Sequence, residues 1–392
     1  MSRIFICCSD PFPFGTANSN YIRNFSKCLK SSGYDVTVVG IGKNRKEDFV
    51  ESAYAYQEIK YYNVDISLKG AKNFLKAEVL TGAKMKSILT EFGIRKTDYI
   101  FIYSSLYSVI DTALKIVQKD HVISIEVEWL QPFQYKKGKL DPMYIIWNAA
   151  FNYRLKRIKR FLPISTTLQK MMLSKGREAV VMPVLTDSSE VKFESEGHVR
   201  EQGVLNLIYS GAATNKDSFP CMIKALASLT EEELSGLQLH FTSLTEEKLR
   251  ECLCGYEEEV NKVLPRIVFH GWLEYQELLE LYKKMDFTLL AREKNLATLS
   301  NFPSKIPELM AFGVIPLCSN VGDYTEIYLS DGIDSIQFEE DSVSSCSTAI
   351  RRALGLSDLD IATMKINTRK CVEEKFDYIN WCAFICNFIQ EK

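Results

Sequence analysis

Between Ala291 and Asn320 the sequence AREKNLATLSNFPSKIPELMAFGVIPLCSN sets Arg292, Lys294 and Lys305 among the polar side chains of Asn295, Thr298, Ser300 and Asn301. Cations and short hydrogen-bonding groups gathered in this way suit an anion with several oxygens. Pro303 stands where a helix can begin, because its fixed φ and missing N–H cost nothing there. The free N–H groups of a helix start favour negative charge, and Lys305 and Arg292 add full positive charge. Each helix-end effect contributes only about 0.3–1 kcal/mol. A diphosphate therefore needs several donors converging on it, and this stretch offers several.

The elements that must position these groups follow from period and punctuation. Residues 287–292 (FTLLAR) end a strand, and Gly313 sits just past the helix that follows, where a left-handed residue usually stops it. Residues 314–319 (VIPLCS) are the next buried strand. A loop that opens a helix after a parallel strand lies at the carboxyl edge of its sheet, where open α/β sheets bind ligands. Upstream, 205–211 (LNLIYSG) is a strand ending in Gly211, followed by a loop with Lys216 and a helix through 222–229. Strands are also expected at 237–243, at 266–271 with an extension through Trp272 and Leu273, and at 334–338. Residues 244–263 read as largely helical, and 377–390 as a closing helix.

The first half begins with the same rhythm. Residues 3–8 are an apolar strand, followed by a turn-rich loop that carries Gly15. A helix over 18–32 has Ile22, Phe25 and Leu29 on one face, and Gly33 precedes a strand at 34–41. This is a βαβ unit. It lacks G-x-G-x-x-G, so a dinucleotide site of that type has little support. Strands at 97–104 and 122–126 follow, the latter leading to Glu128. A carboxylate at a strand end can act as a base or accept from a sugar hydroxyl, and Glu126 and Glu128 could equally lie in a surface loop.

The motif FPSK at 302–305, with Glu308, Ala311, Gly313 and Pro316 after it, resembles the nucleotide-sugar site of glycosyltransferase family 4. The resemblance implies an α/β chain of the GT-B fold, two Rossmann-like domains whose parallel sheets face each other across a cleft. It implies an acceptor-side domain at 1–184, with the helix 376–392 packing back on it, and a nucleotide-sugar domain at 185–375. It further implies that Glu308 holds the donor's ribose hydroxyls, that Lys216 binds the diphosphate, and that the segment with Gly271 lies beside the nucleotide base. Gly15 matches the family's first-loop glycine near donor and acceptor, and a plain turn glycine is the alternative. Two positions depart from the family pattern. Ala212 stands where an arginine is usual, for which Arg292 is the candidate replacement, and Ser300 stands where a first glutamate is usual.

Composition bounds the rest. With 392 residues the chain is long enough for two or three domains, and 46% hydrophobic and 25% charged residues are ordinary for a soluble protein. A net charge of −2 and the lack of a basic tail or zinc-finger spacing argue against nucleic acid. No apolar run approaches the ~18 residues of a spanning helix. No export signal is expected either, so the eleven cysteines read as reduced thiols and a cytoplasmic location is implied. Residues 144–161 (YIIWNAAFNYRLKRIKRF) join an aromatic half to a basic half. That pattern fits an amphipathic contact with a membrane surface, peripheral on its inner face, or a core helix with a solvated basic side.

Together these residues imply transfer of a sugar from a nucleotide-diphosphate sugar to a glycan or lipid-linked acceptor, as in polysaccharide biosynthesis. The family is mostly retaining. Lys216, Arg292, Lys305 and the amides near Ser304 would take the negative charge of the leaving group in place of a metal, and no cofactor is expected beyond the donor itself. Glu128 is the candidate base. An epimerase of GT-B type, or a non-catalytic sugar-nucleotide-binding partner, are the alternatives.

Overall fold

A computed structural model describes residues 3–66, 71–193, 203–211 and 216–391. The chain forms two compact units, 1–185 with 378–392, and 186–377. Each is built on one largely parallel sheet with helices around it, as its near-continuous apolar strand sequences require.

The first unit holds β1 (Arg3–Cys8), β2 (Asp35–Ile41), β3 (Phe49–Val50), β4 (Ala53–Tyr56), β5 (Ile59–Val64), β6 (Tyr99–Tyr103), β7 (Val122–Glu126), β8 (Arg160–Pro163) and β9 (Glu178–Ala179). Their order is β3-β4-β5-β2-β1-β6-β7-β8-β9. All pairs are parallel except β3 with β4 and β4 with β5. That hairpin edge and the long helix Ala71–Glu91 lie in a stretch where the sequence pattern is weak. The helix Ala17–Ser31 starts on a capping box between Thr16 and Ser19 and buries Ile22, Phe25 and Leu29. Phe25 meets Phe101 of β6 edge-on, with ring centroids 5.2 Å apart.

The C-terminal segment belongs to this first unit. It is a 3-10 turn, Tyr378–Trp381, and then the helix Cys382–Gln390, rather than one continuous helix. Ile385, Phe388 and Ile389 are buried, and the Arg160 guanidinium lies 4.5 Å from the Phe388 ring centroid.

The second unit holds β10 (Leu205–Ser210), β11 (Leu237–Thr242), β12 (Ile267–Gly271), β13 (Phe287–Leu290), β14 (Ile315–Ser319) and β15 (Ile336–Phe338), in the order β12-β11-β10-β13-β14-β15. This is the doubly wound order, with its switch point at β10. The segment 244–263 divides into two helices, Glu246–Cys252 and Glu257–Val263. β12 ends at Gly271, and Trp272, 83% exposed, leaves the sheet instead of extending it. The helix Lys305–Ala311 stops at Gly313, whose φ of +80° is the left-handed conformation that only glycine adopts freely.

Candidate functional site

The site forms where β10 and β13 end. Lys216, Arg292, Ser304 and Lys305 line one cavity of about 210 Å³ with Asp217, Asn301, Phe302 and Pro303. Sites for whole small ligands span roughly 300–1,000 Å³. The cavity therefore takes a fragment the size of a diphosphate, and the rest of a larger ligand lies outside it. Ala212, the position without its expected arginine, is outside the described residues.

Arg292 is brought in by the end of β13, where its amide donates to Ser319 Oγ (2.8 Å). Its guanidinium is already engaged. Nε donates to Asp217 Oδ1 (2.9 Å) and Nη1 to Asn301 Oδ1 (3.2 Å). Tyr209 donates from its hydroxyl to the other Asp217 oxygen (2.7 Å). Burial first, and then Asp217, raises the Tyr209 phenol far above its ordinary range. Arg292 thus enters the wall as half of a buried ion pair, with 7% and 6% side-chain exposure for the two partners, not as an isolated cation.

Lys305 opens its helix and pairs with Glu308, Nζ to Oε2, at 3.2 Å. Glu308 holds the ammonium above the usual lysine range, against the opposing effect of burial. The sequence assigns Lys305 and Glu308 to separate parts of a ligand. The fold places them three residues apart on one helix face, in contact. The helix has seven residues, and Ser304 caps it without a side-chain bond. Side-chain cations therefore outweigh the helix start here. Asn295 begins a further short helix, Leu296–Leu299, inside what the sequence presents as loop, and Ser300 after it is fully buried.

One residue escapes sequence reasoning. Lys192, in the turn Val191–Phe193, reaches Glu308 from the other side, Nζ to Oε1 at 3.9 Å. It also meets Glu190 at 2.7 Å and donates to the Tyr275 hydroxyl at 3.2 Å. Burial works against the Lys192 ammonium, yet Glu308 and Glu190 offset it and its pKa is raised. No local pattern marks this lysine, because its partners lie on distant segments.

Gly211 follows β10, and its amide donates to Thr242 Oγ1 (3.2 Å). Gly271 ends β12 two strands away, and its carbonyl accepts from Ser243 N (2.7 Å). Beside it, His240 Nδ1 and His270 Nε2 are 2.9 Å apart, and His240 Nε2 lies 3.3 Å from Asn206 Oδ1. Burial lowers the pKa of both rings, that of His240 to about 4. This pair is part of the sheet's packing.

Gly15 and Glu128 belong to the first unit. Gly15 has φ +135°, and a Cβ there would stand 2.8 Å from Pro11 Cγ. The same loop carries Asp10, which accepts from Thr16 Oγ1 (2.9 Å) and Asn18 Nδ2 (3.1 Å). Burial raises the Asp10 pKa against those two bonds. Glu128 is half-buried past the end of β7, and its charge adds to the burial that raises the Tyr103 and Tyr135 phenols. Glu126 is occupied. Arg154 grips it through Nε (2.6 Å) and Nη2 (2.9 Å), and Ser124 donates to it as well (2.8 Å). Among the described residues no three His, Cys, Asp or Glu side chains gather as a metal site requires.

The segment 144–161 becomes the helix Pro142–Arg157 and the start of β8. Two of its five cations turn inward, Arg154 to Glu126 and Arg160 under Phe388. Lys159 pairs with Glu178 at 2.9 Å, and Lys156 and Arg157 remain exposed. Among the described residues no helix is long and apolar enough to cross a membrane.

Residues 205–355 match the family model of Glycosyl transferases group 1. No curated sequence matches the chain. Among solved structures it is similar to the sucrose-phosphate synthase of Thermosynechococcus elongatus, with TM-score 0.74 and 12% identity over 99% of this chain and 98% of that one. It is also similar to Anabaena HepE in complex with UDP and glucose, with TM-score 0.67 and 13% identity over 99% of each chain. A third is WaaG, a glycosyltransferase involved in lipopolysaccharide biosynthesis, with TM-score 0.65 and 15% identity over 99% and 100%. The chain therefore has the α/β fold of the GT-B glycosyltransferases, and its second unit carries the group 1 match around the cavity just described.

Proposed function

We propose that this chain is a glycosyltransferase that moves a sugar from a nucleotide-diphosphate sugar to a glycan or lipid-linked acceptor. The reading includes retention of anomeric configuration, independence of metal, and a place in polysaccharide assembly on the inner face of a membrane. The observation that carries it is the convergence of Lys216, Arg292 and Lys305 on one cavity at the switch point of the second sheet. As the bond from the sugar's anomeric carbon to the β-phosphate oxygen breaks, its electron pair stays on that oxygen. Fixed cations stabilise this growing charge more than mobile water does. The acceptor oxygen bonds to the anomeric carbon, and its proton passes to a carboxylate, a role we assign to Glu128. Glu308 takes the ribose hydroxyls, and the backbone at Gly211, Gly271 and Ser304 approaches the donor. Gly15 serves the same end from the first unit.

Support for a nucleoside diphosphate comes from HepE, whose structure holds UDP and glucose. UDP, GDP, ADP and dTDP are the first probes in a thermal-shift screen, followed by assays with their sugar forms. A ligand at about one hundred times its Kd adds about 2.7 kcal/mol to stability, so one of the four is expected to raise the Tm. The Lys216→Ala/Lys305→Ala double variant should lose that rise. No shift with any probe, or equal shifts with and without the two lysines, overturns the reading. Turnover without an acceptor would mark an epimerase, and binding without transfer a non-catalytic partner.

A further inference from the structure

Lys216, Arg292 and Lys305 line the cavity of the second unit, and among the described residues one carboxylate, Asp217, lines it with them. Asp217 comes from the loop after β10, and Arg292 from the end of β13. Their backbones meet in an isolated antiparallel bridge, and beside it Ser218 N donates to Ala291 O (2.8 Å). The two side chains therefore face each other from a fixed frame. Asp217 Oδ1 accepts from Arg292 Nε (2.9 Å), and Oδ2 accepts from the Tyr209 hydroxyl (2.7 Å). Tyr209 is held in turn by Phe219 and Phe241, with ring centroids 4.9 and 5.9 Å away. Asn301 takes Arg292 Nη1 (3.2 Å). Nη2 donates to nothing among the described residues and is the edge left for a ligand.

We propose that Asp217 is a built-in counter-charge, which sets how firmly the cavity holds a nucleoside diphosphate and how soon it releases one. The inference rests on the functional reading above. A pair that served the fold alone would close the whole fork, as Arg154 does when it gives Glu126 both Nε and Nη2. Arg292 gives Asp217 only Nε, and the second Asp217 oxygen is turned to Tyr209. The guanidinium is thus fixed in orientation while one edge stays available. Three cations without a carboxylate would grip the departing diphosphate as tightly as the transition state, and uniform binding of that kind does not speed turnover. Release of product limits many enzymes. Asp217 lines the same cavity, so its charge opposes the ligand's terminal phosphate across a wall of low dielectric constant. The directed bond from Nη2 survives, and the undirected pull on the product is offset.

The test titrates UDP and UMP into the full chain by calorimetry and follows release by stopped flow. Where the parent binds GDP, ADP or dTDP instead, that base's di- and monophosphate are the probes. Asp217→Asn keeps the shape of the pair, because its oxygen still accepts from Arg292 and its amide can donate to the Tyr209 oxygen. It should bind UDP about tenfold or more tightly and release it correspondingly more slowly, with UMP changed less than about twofold. Arg292→Met/Asp217→Asn removes both charges and should lose that gain. A merely structural pair would move UDP and UMP together. Circular-dichroism melts verify folding. If Asp217→Asn does not fold with Arg292 left unpaired, Tyr209→Phe carries the test. It bares the carboxylate and should weaken UDP about twofold to fivefold while leaving UMP unchanged. Unchanged or weaker UDP binding in a folded Asp217→Asn variant overturns the proposal, as do equal shifts for UDP and UMP in either variant. A parent that binds none of the diphosphates overturns the functional reading and this inference together, so the two failures are distinct.

Discussion

The two sheets close their carboxyl edges with ion pairs of opposite character. At the first, Arg154 holds Glu126 with two parallel bonds, Ser124 adds a third, and the two side chains are 4% and 5% exposed. At the second, Lys305 meets Glu308 through a single contact, with side chains 34% and 12% exposed. A bidentate, buried pair is spent on the fold, because separating it leaves a charge with no solvent. A single contact near solvent can be exchanged for a ligand's oxygen at little cost. The Arg292–Asp217 pair stands between these extremes, buried like the first and lining the cavity like the second. Sign at a strand end therefore says less about chemistry than the number of bonds each charge has already made.

The most severe way to break this contrast is Arg154→Met. It strands Glu126 in the interior and should cost about 3–5 kcal/mol, read from urea melts of the first unit. A loss below about 1 kcal/mol would place this pair with the exchangeable kind. Next is Lys305→Ala, expected to weaken nucleoside-diphosphate affinity roughly tenfold to a hundredfold, the worth of a charged hydrogen bond. Calorimetric titration with UDP measures it, and a Tm close to the parent's must accompany the loss. Acidification probes the second sheet away from the cavity. His240 titrates at about 4 when folded, against an ordinary value near 6.5. The unfolded chain thus binds the proton first, and stability falls as pH drops from about 6.5 towards 4, by roughly 1–3 kcal/mol in total. Melts across that range should flatten in His240→Gln, and an unchanged slope would refute the assignment. The smallest effect sharpens the comparison most. Lys192→Met removes one of two cations flanking Glu308. It should weaken UDP about threefold to tenfold while leaving 2′,3′-dideoxy-UDP unaffected. Equal losses for both ligands would mean that Lys192 acts without Glu308.

Much of this was legible in order along the chain. The apolar runs at 3–8, 205–211 and 287–292 are strands because parallel sheets bury both faces, and continuous hydrophobicity records that. Lys216, Arg292, Ser304 and Lys305 meet at one cavity because βα loops in a doubly wound sheet converge at its switch point. The partners of those residues were illegible. Nothing near Arg292 announces Asp217, which comes from a loop 75 residues away, and Lys192 reaches Glu308 from beyond the first strand of the unit. The basic half of 144–161 was legible only in part, for a related reason. Periodicity tells which helix face is apolar, but not that a buried carboxylate on β7 will draw Arg154 inward.

The ends of the second unit lie side by side. Thr186 and Asp377 form a lone parallel bridge, Thr186 N donates to Phe376 O (2.9 Å), and Ser188 binds the Asp377 carboxylate through its amide (2.8 Å) and its hydroxyl. Severing the chain outside this clasp interrupts no strand of either sheet. The cation-lined half is consequently a cassette with adjoining ends, suited to expression by itself or to having those ends spliced and new ones opened at a surface loop.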